Sequence, residues 1–233
     1  MRRVDLHIIE NNFSKKQMVM GGVFWILTIE FFVAQAIVQA ACISPYNIID
    51  NTISELGFTS SGVVSLGTYS QYVNSPLHTV MNVSFIVTGL LILFGLYFTR
   101  GIWPKRRLAR LGVALIALAG IGKIIVGFVP GNVNFALHSL GGLGMICASI
   151  GITLIGLAIR GKEHRWMRNL SLLLGLSGLI GMLLFLFMNY WGGAFERLAD
   201  YPMFIWMVVL GSYLVLRSRD STEGEGLSLK PIT

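Results

Sequence analysis

Residues 77–99 read LHTVMNVSFIVTGLLILFGLYFT, and Arg100 follows them. No Asp, Glu, Lys or Arg interrupts the run. A helix crossing the hydrocarbon of a bilayer needs roughly 20 mostly apolar residues, so this segment reads as a membrane span. Five more stretches read the same way, at about 20–42, 108–130, 135–159, 170–190 and 202–216. The last is short and is expected to begin nearer Phe195. The whole chain agrees: 54% of its 233 residues are hydrophobic and 12% charged, against roughly 25% charged in a soluble domain. That balance excludes a soluble globule and, for the opposite reason, a disordered chain. The expected fold class is all-α, a polytopic six-helix bundle over residues 20–216. A cytoplasmic segment, 1–19, precedes it, and a polar, mobile cytoplasmic tail, 217–233, follows.

Orientation follows from the basic residues. Arg2, Arg3, Lys15 and Lys16 precede the first span. Arg100, Lys105, Arg106, Arg107 and Arg110 lie between spans two and three, and Arg160, Lys162, Arg165 and Arg168 between spans four and five. Arg217, Arg219 and Lys230 close the chain. In a six-span arrangement all of these fall on one side, and cytoplasmic loops carry the excess of Lys and Arg. Both termini are therefore expected in the cytoplasm of a cell-membrane, multi-pass protein. The net charge of +7 is then a matter of topology and of contact with anionic inner-leaflet lipid, and no nucleic-acid partner is expected. The basic start resembles a signal peptide, but its apolar run is too long and contains Glu30. Cys42 and Cys147 show no CxxC spacing, and no disulfide is expected.

Polarity on the opposite side is concentrated. The loop 43–76 is the longest and holds Asp50, Thr52, Ser54, Glu55 and Asn74. Loops of that length are usually functional or disordered. Thr52-Ile53-Ser54-Glu55 fits a capping box with Thr52 as N-cap. A short helix or re-entrant segment is expected there, followed by a Gly/Ser/Thr stretch. His78 and His138 open spans two and four, and Asn82 shares the His78 face one turn on. Leu77-His78 and Leu137-His138, like Arg100-Gly101 and Arg160-Gly161, hint at two related hairpins. Lys123 and Glu30 lie inside spans, where a charge is costly and marks a functional hypothesis. They are expected to pair. Glu196, Arg197 and Asp200 read as the solvated start of span six, with the acids favoured by the helix dipole.

Asn51-Thr52-Ile53-Ser54-Glu55-Leu56-Gly57, then Ser75-Pro76 and Met81-Asn82, then Gly127-Phe128-Val129-Pro130-Gly131-Asn132 and His138-Ser139 form an ordered set of polar motifs. This order resembles the prokaryotic membrane family known only as domain of unknown function 998. The resemblance runs from about Trp25 to Leu216. It implies a multi-span helical membrane protein and brings no established reaction.

The function expected from the residues is an outward-facing polar pocket. Ser54, Glu55, His78, Asn82, Lys123, His138 and Arg197 would line it, with Glu30 beneath. It would bind, with or without transport, a lipid or other amphiphile whose anionic headgroup Lys123 and Arg197 could hold. The alternative is an intramembrane hydrolase at the outer leaflet, serine- or metal-dependent, in which Ser54, a histidine and Glu55 or Asp50 supply nucleophile, base and orienter. Two outer histidines and a carboxylate could hold a zinc ion. However, the last span has no HxxxH pair, and His7 and His164 fall on the basic side, so no metal or cofactor is expected. A third reading is an accessory subunit facing another membrane protein or a second copy of the chain.

Overall fold

The computed structural model describes residues 3–66, 69–162, 164–188 and 190–223. Its elements are α1 (Arg3–Leu27), α2 (Glu30–Ala41), a 3-10 helix (Ser54–Gly57), β1 (Gly62–Leu66), β2 (Tyr69–Val73), α3 (His78–Thr99), α4 (Arg107–Phe128), α5 (Phe135–Gly142), α6 (Gly144–Ala158), α7 (Arg165–Phe187) and α8 (Gly192–Glu223). Six helical units among the described residues are long and apolar enough to cross a bilayer, α1–α2 and α5–α6 each counting as one. The span count and the all-α class therefore hold, with one small exception in the long loop.

Both faces of the helices carry bulky apolar residues. Along α3 the exposed side chains include Val80, Val83, Val87, Leu90, Phe94 and Tyr97, and the buried ones Met81, Phe85, Ile92 and Leu96 together with Ser84, Thr88, Gly89, Gly95 and Thr99. Lipid is as apolar as any core, so what sets the buried face apart is its small and hydroxyl-bearing residues. Small and hydrogen-bonding residues gain close approach and partners. Glycines meet where helices cross. A Cβ on Gly112 would lie 2.6 Å from the Gly151 carbonyl oxygen, and the reverse distance is also 2.6 Å. Gly89 meets Gly120, and Gly22 meets Gly211, in the same way.

The spans form a closed ring. α1 packs on α3 and α8, α3 on α4, α4 on α6, α6 on α7, and α7 on α8. At the end bearing the basic loops, Trp25, Trp103 and Trp206 fill the interior with ring centroids 5.7–5.9 Å apart. At the other end the 3-10 helix packs on α2 and α3, and the residues just before it bond to the start of α8.

Several boundaries differ from the sequence reading. The first span bends at Thr28 and Ile29, whose amides bond the carbonyls of Trp25 and Ile26 three residues back, and the Thr28 hydroxyl also donates to Trp25 O at 2.6 Å. The fourth span breaks at Leu143, amid Gly141, Gly142 and Gly144. The sixth begins at Gly192, well before Pro202. Pro202 is tolerated inside it, at the loss of one amide donor. α8 also runs on to Glu223, so the start of the expected tail is helical, and residues 224–233 lie outside those described. α1 likewise extends back to Arg3. The expected Gly/Ser/Thr stretch contains an antiparallel hairpin, β1 on β2, in register from Gly62↔Val73 to Leu66↔Tyr69. Its β-branched and aromatic content, Val63, Val64, Tyr69, Tyr72 and Val73, is the signal that marks it.

Candidate functional site

The site starts from how the long loop is held. Arg197, in the second turn of α8, sends Nη1 to the carbonyls of Ile48, Asn51 and Gly193, each at 2.9 Å, and Nη2 to Tyr46 Oη at 2.7 Å. Burial pushes the Tyr46 hydroxyl well above its ordinary pKa, against the pull of the guanidinium beside it. It stays neutral and donates to Thr52 O at 2.8 Å. The Gly193 and Ala194 amides donate to Asp50 O and Ile49 O. A Cβ at Gly193 would sit 2.2 Å from Asn51 O, so only glycine admits this approach. Arg197 thus closes the loop onto α8. The expected headgroup contact would compete with these bonds, and Arg197 is not among the residues lining the cavity that holds Ser54 and His138.

Glu55 is also structural. Its carboxylate accepts from Asn51 Nδ2 at 2.7 Å, from Thr52 N at 2.6 Å and from Thr52 Oγ at 3.0 Å. The glutamate half of the capping box forms, but the 3-10 helix starts at Ser54, and its N-cap, Ile53, has no side-chain cap. Asn82 donates to Gly57 O at 2.9 Å and pins the loop to α3. His78 places Nδ1 3.0 Å from Ser75 O.

With the loop fixed, Ser54 faces inward beneath it. His138, in the first turns of α5, sits 8% exposed with Nδ1 2.8 Å from Val129 O and Nε2 2.9 Å from Ser54 Oγ. Glu196 reaches the same point from α8. One of its carboxylate oxygens accepts the Ile53 amide, and the other lies 3.3 Å from Ser54 Oγ.

One turn further along α8, Asp200 Oδ2 lies 2.6 Å from Lys123 Nζ. The ammonium also faces the rings of Phe31, Phe85 and Phe204, 4.8–5.4 Å from their centroids. This overturns the expected Lys123–Glu30 pair. Glu30 instead accepts from Ser84 Oγ at 2.8 Å and Thr88 Oγ at 2.5 Å on α3. A carboxylate satisfied by hydroxyls on the adjacent helix needs no lysine, and Asp200 holds Lys123 first.

Ser54, His138, Lys123, Glu196 and Asp200 line one cavity of about 630 Å³, with Asp50 at its rim. Its remaining walls are largely apolar and include Phe135, Leu143, Met182, Phe185 and Leu186. Leu143 and Leu186 are 47% and 55% exposed, so the cavity reaches the lipid-facing surface beside α5 and α7. Tyr190 and Trp191 stand at its loop-side edge. Asp200 Oδ1 is buried and has no hydrogen-bond partner. No group of three His, Cys, Asp or Glu side chains suited to a metal forms among the described residues.

Of the eight residues singled out from sequence, three line this cavity: Ser54, Lys123 and His138. Four of the others, Glu55, His78, Asn82 and Arg197, bond the loop or its junction with α3, and Glu30 stands apart. Glu196 and Asp200 belong to the site although they read as a solvated helix start. A signal for them existed. Glu196, Asp200, Met203, Met207, Leu210 and Leu214 recur at helical spacing and are all buried, so the apolar stripe of the sixth span extends backwards through both acids.

The chain belongs to the family described as protein of unknown function DUF998, whose model matches residues 26–213. No curated protein and no solved structure matches it.

Proposed function

We propose that this DUF998-family membrane protein binds an amphiphile in the cavity under its long loop, with the basic end in the cytoplasm and the cavity at the outer leaflet. The observation that carries this reading is the cavity's two-sided character. It is polar at the end built by Ser54, His138, Glu196 and Asp200, and apolar where it meets side chains that face lipid. A pocket of this kind matches a molecule with one wet end and one greasy end.

The charge of the lining favours a headgroup that donates hydrogen bonds over an anionic one. Three carboxyl residues, Asp50, Glu196 and Asp200, share the lining with one cation, Lys123, which is already paired. The unpartnered Asp200 Oδ1 is an acceptor awaiting a donor. Hydroxyl- or ammonium-bearing headgroups supply one. The tryptophan cluster at the basic end supports binding at one leaflet rather than passage through the ring.

Native mass spectrometry of the detergent-purified protein tests this. A co-purifying amphiphile is expected, and Gly142→Phe should expel it. Gly142 lines the cavity, and a Cβ there meets nothing nearer than the flexible end of Met145, Cε at 4.0 Å, so the substitution adds bulk at the cavity wall without a backbone clash at Cβ. An empty wild-type protein, or a ligand equally retained in Gly142→Phe, would overturn the reading.

A further inference from the structure

The Ser54–His138 contact does more than fasten the loop. Val129 O can only accept, so His138 Nδ1, 2.8 Å away, carries the ring hydrogen. In the neutral imidazole the Nε2 lone pair is then free, and it points at Ser54 Oγ, 2.9 Å distant. The Ser54 hydroxyl thus has two acceptors within reach, Nε2 at 2.9 Å and a Glu196 carboxylate oxygen at 3.3 Å, and the shorter contact is the one to Nε2. This is the arrangement of a nucleophile with its base, the tautomer being fixed by a third group. Here that third group is a backbone carbonyl.

The surroundings hold this geometry in place. Ile53, the residue before Ser54, is tied through its amide to the Glu196 carboxylate. A Cβ on Gly131 would lie 3.3 Å from the His138 ring, so the 129–134 turn packs closely against the imidazole. Both side chains line the cavity.

We infer that Ser54 is an acyl-transfer nucleophile and His138 its general base, acting on a membrane-resident acyl ester of a hydroxylated headgroup. The inference rests on the binding reading for delivery of substrate. Ser54 Oγ attacks the ester carbonyl carbon as its proton passes to His138 Nε2. The carbon–oxygen bond to the headgroup breaks, and the same proton leaves with the departing alcohol. A water molecule, deprotonated by Nε2, then attacks the acyl-serine. The acid departs and Ser54 recovers its proton. Ester and water become acid and alcohol, with no oxidant or reductant.

The test uses the full-length protein in detergent micelles with a long-chain alkyl fluorophosphonate, which traps an activated serine covalently. One adduct per chain is expected, mapped to Ser54 by peptide mass spectrometry and absent in Ser54→Ala. His138→Asn should slow labelling by about 10²–10⁴-fold, the usual contribution of a general base. Native mass spectrometry of Ser54→Ala reports in parallel whether the pocket is intact. A bound amphiphile without an adduct at Ser54 would overturn the acyl-transfer role and leave the binding reading standing. An adduct at Ser54 in a protein that retains no amphiphile would support the chemistry and overturn a resident ligand. Labelling that persists in Ser54→Ala, or neither adduct nor ligand, would also overturn the inference.

Discussion

Lys123 Nζ and Asp200 Oδ2 meet at 2.6 Å inside the ring of helices, with side chains only 10% and 2% exposed. Removing one partner of such a pair strands the other charge in a low-dielectric interior, which costs about 3–5 kcal/mol. Lys123→Met and Asp200→Leu are each expected to destabilise by that order in reversible unfolding in mixed micelles. The double variant should recover most of the loss. A double variant as unstable as the sum of the singles would show that the two residues act independently.

Glu30 belongs to a different polar cluster, with Ser84 and Thr88. Independent sites give additive stability changes to within about 0.3–0.5 kcal/mol. Glu30→Gln combined with Lys123→Met should therefore be additive. Coupling well above that level would restore the pairing expected from sequence.

Arg197 closes the loop onto α8 through two loop carbonyls, those of Ile48 and Asn51, and through Tyr46. A hydrogen bond from a charged donor is worth roughly 1.5–3 kcal/mol. Arg197→Lys cannot reproduce the fork, and amide hydrogen exchange across residues 46–53 should rise about 10-fold or more. Exchange should change little in α6. Unchanged protection in the loop would remove Arg197 from this role.

At the α4–α6 crossing, Gly112→Ala places a methyl group 2.6 Å from the Gly151 carbonyl oxygen. Overpacking of this kind costs about 1–3 kcal/mol. Gly142→Ala, whose added methyl group makes only an ordinary contact with Met145 Cε at 4.0 Å, is the matched control and should be near neutral. Equal melting temperatures for the two variants would contradict the close crossing.

Topology is open to direct labelling. In a variant lacking Cys42 and Cys147, a cysteine at Ser60 should react with an impermeant maleimide on intact cells. A cysteine at Lys105 should react only after permeabilisation. The reverse pattern would place the cavity at the inner leaflet.

The sequence by itself determined the number of spans, their approximate limits and the shared side of the basic loops. These depend on sums over long windows, of apolar length against bilayer thickness and of Lys and Arg counts, and packing cannot alter such sums. It also marked Ser54, Lys123 and His138, because polar groups in apolar surroundings stand out one by one. The tertiary structure decided who meets whom. Lys123 pairs with Asp200, not Glu30, because the ring closes α8 against α1 and turns the face of Glu196 and Asp200 inward. Arg197 becomes a loop clamp because Gly193 lets the backbone of residues 48–51 come within its reach. Ser54 and His138 lie 84 positions apart. No spacing rule links residues that distant. Their contact exists only because the loop is fastened at both ends, to α3 through Asn82 and to α8 through Arg197 and Glu196.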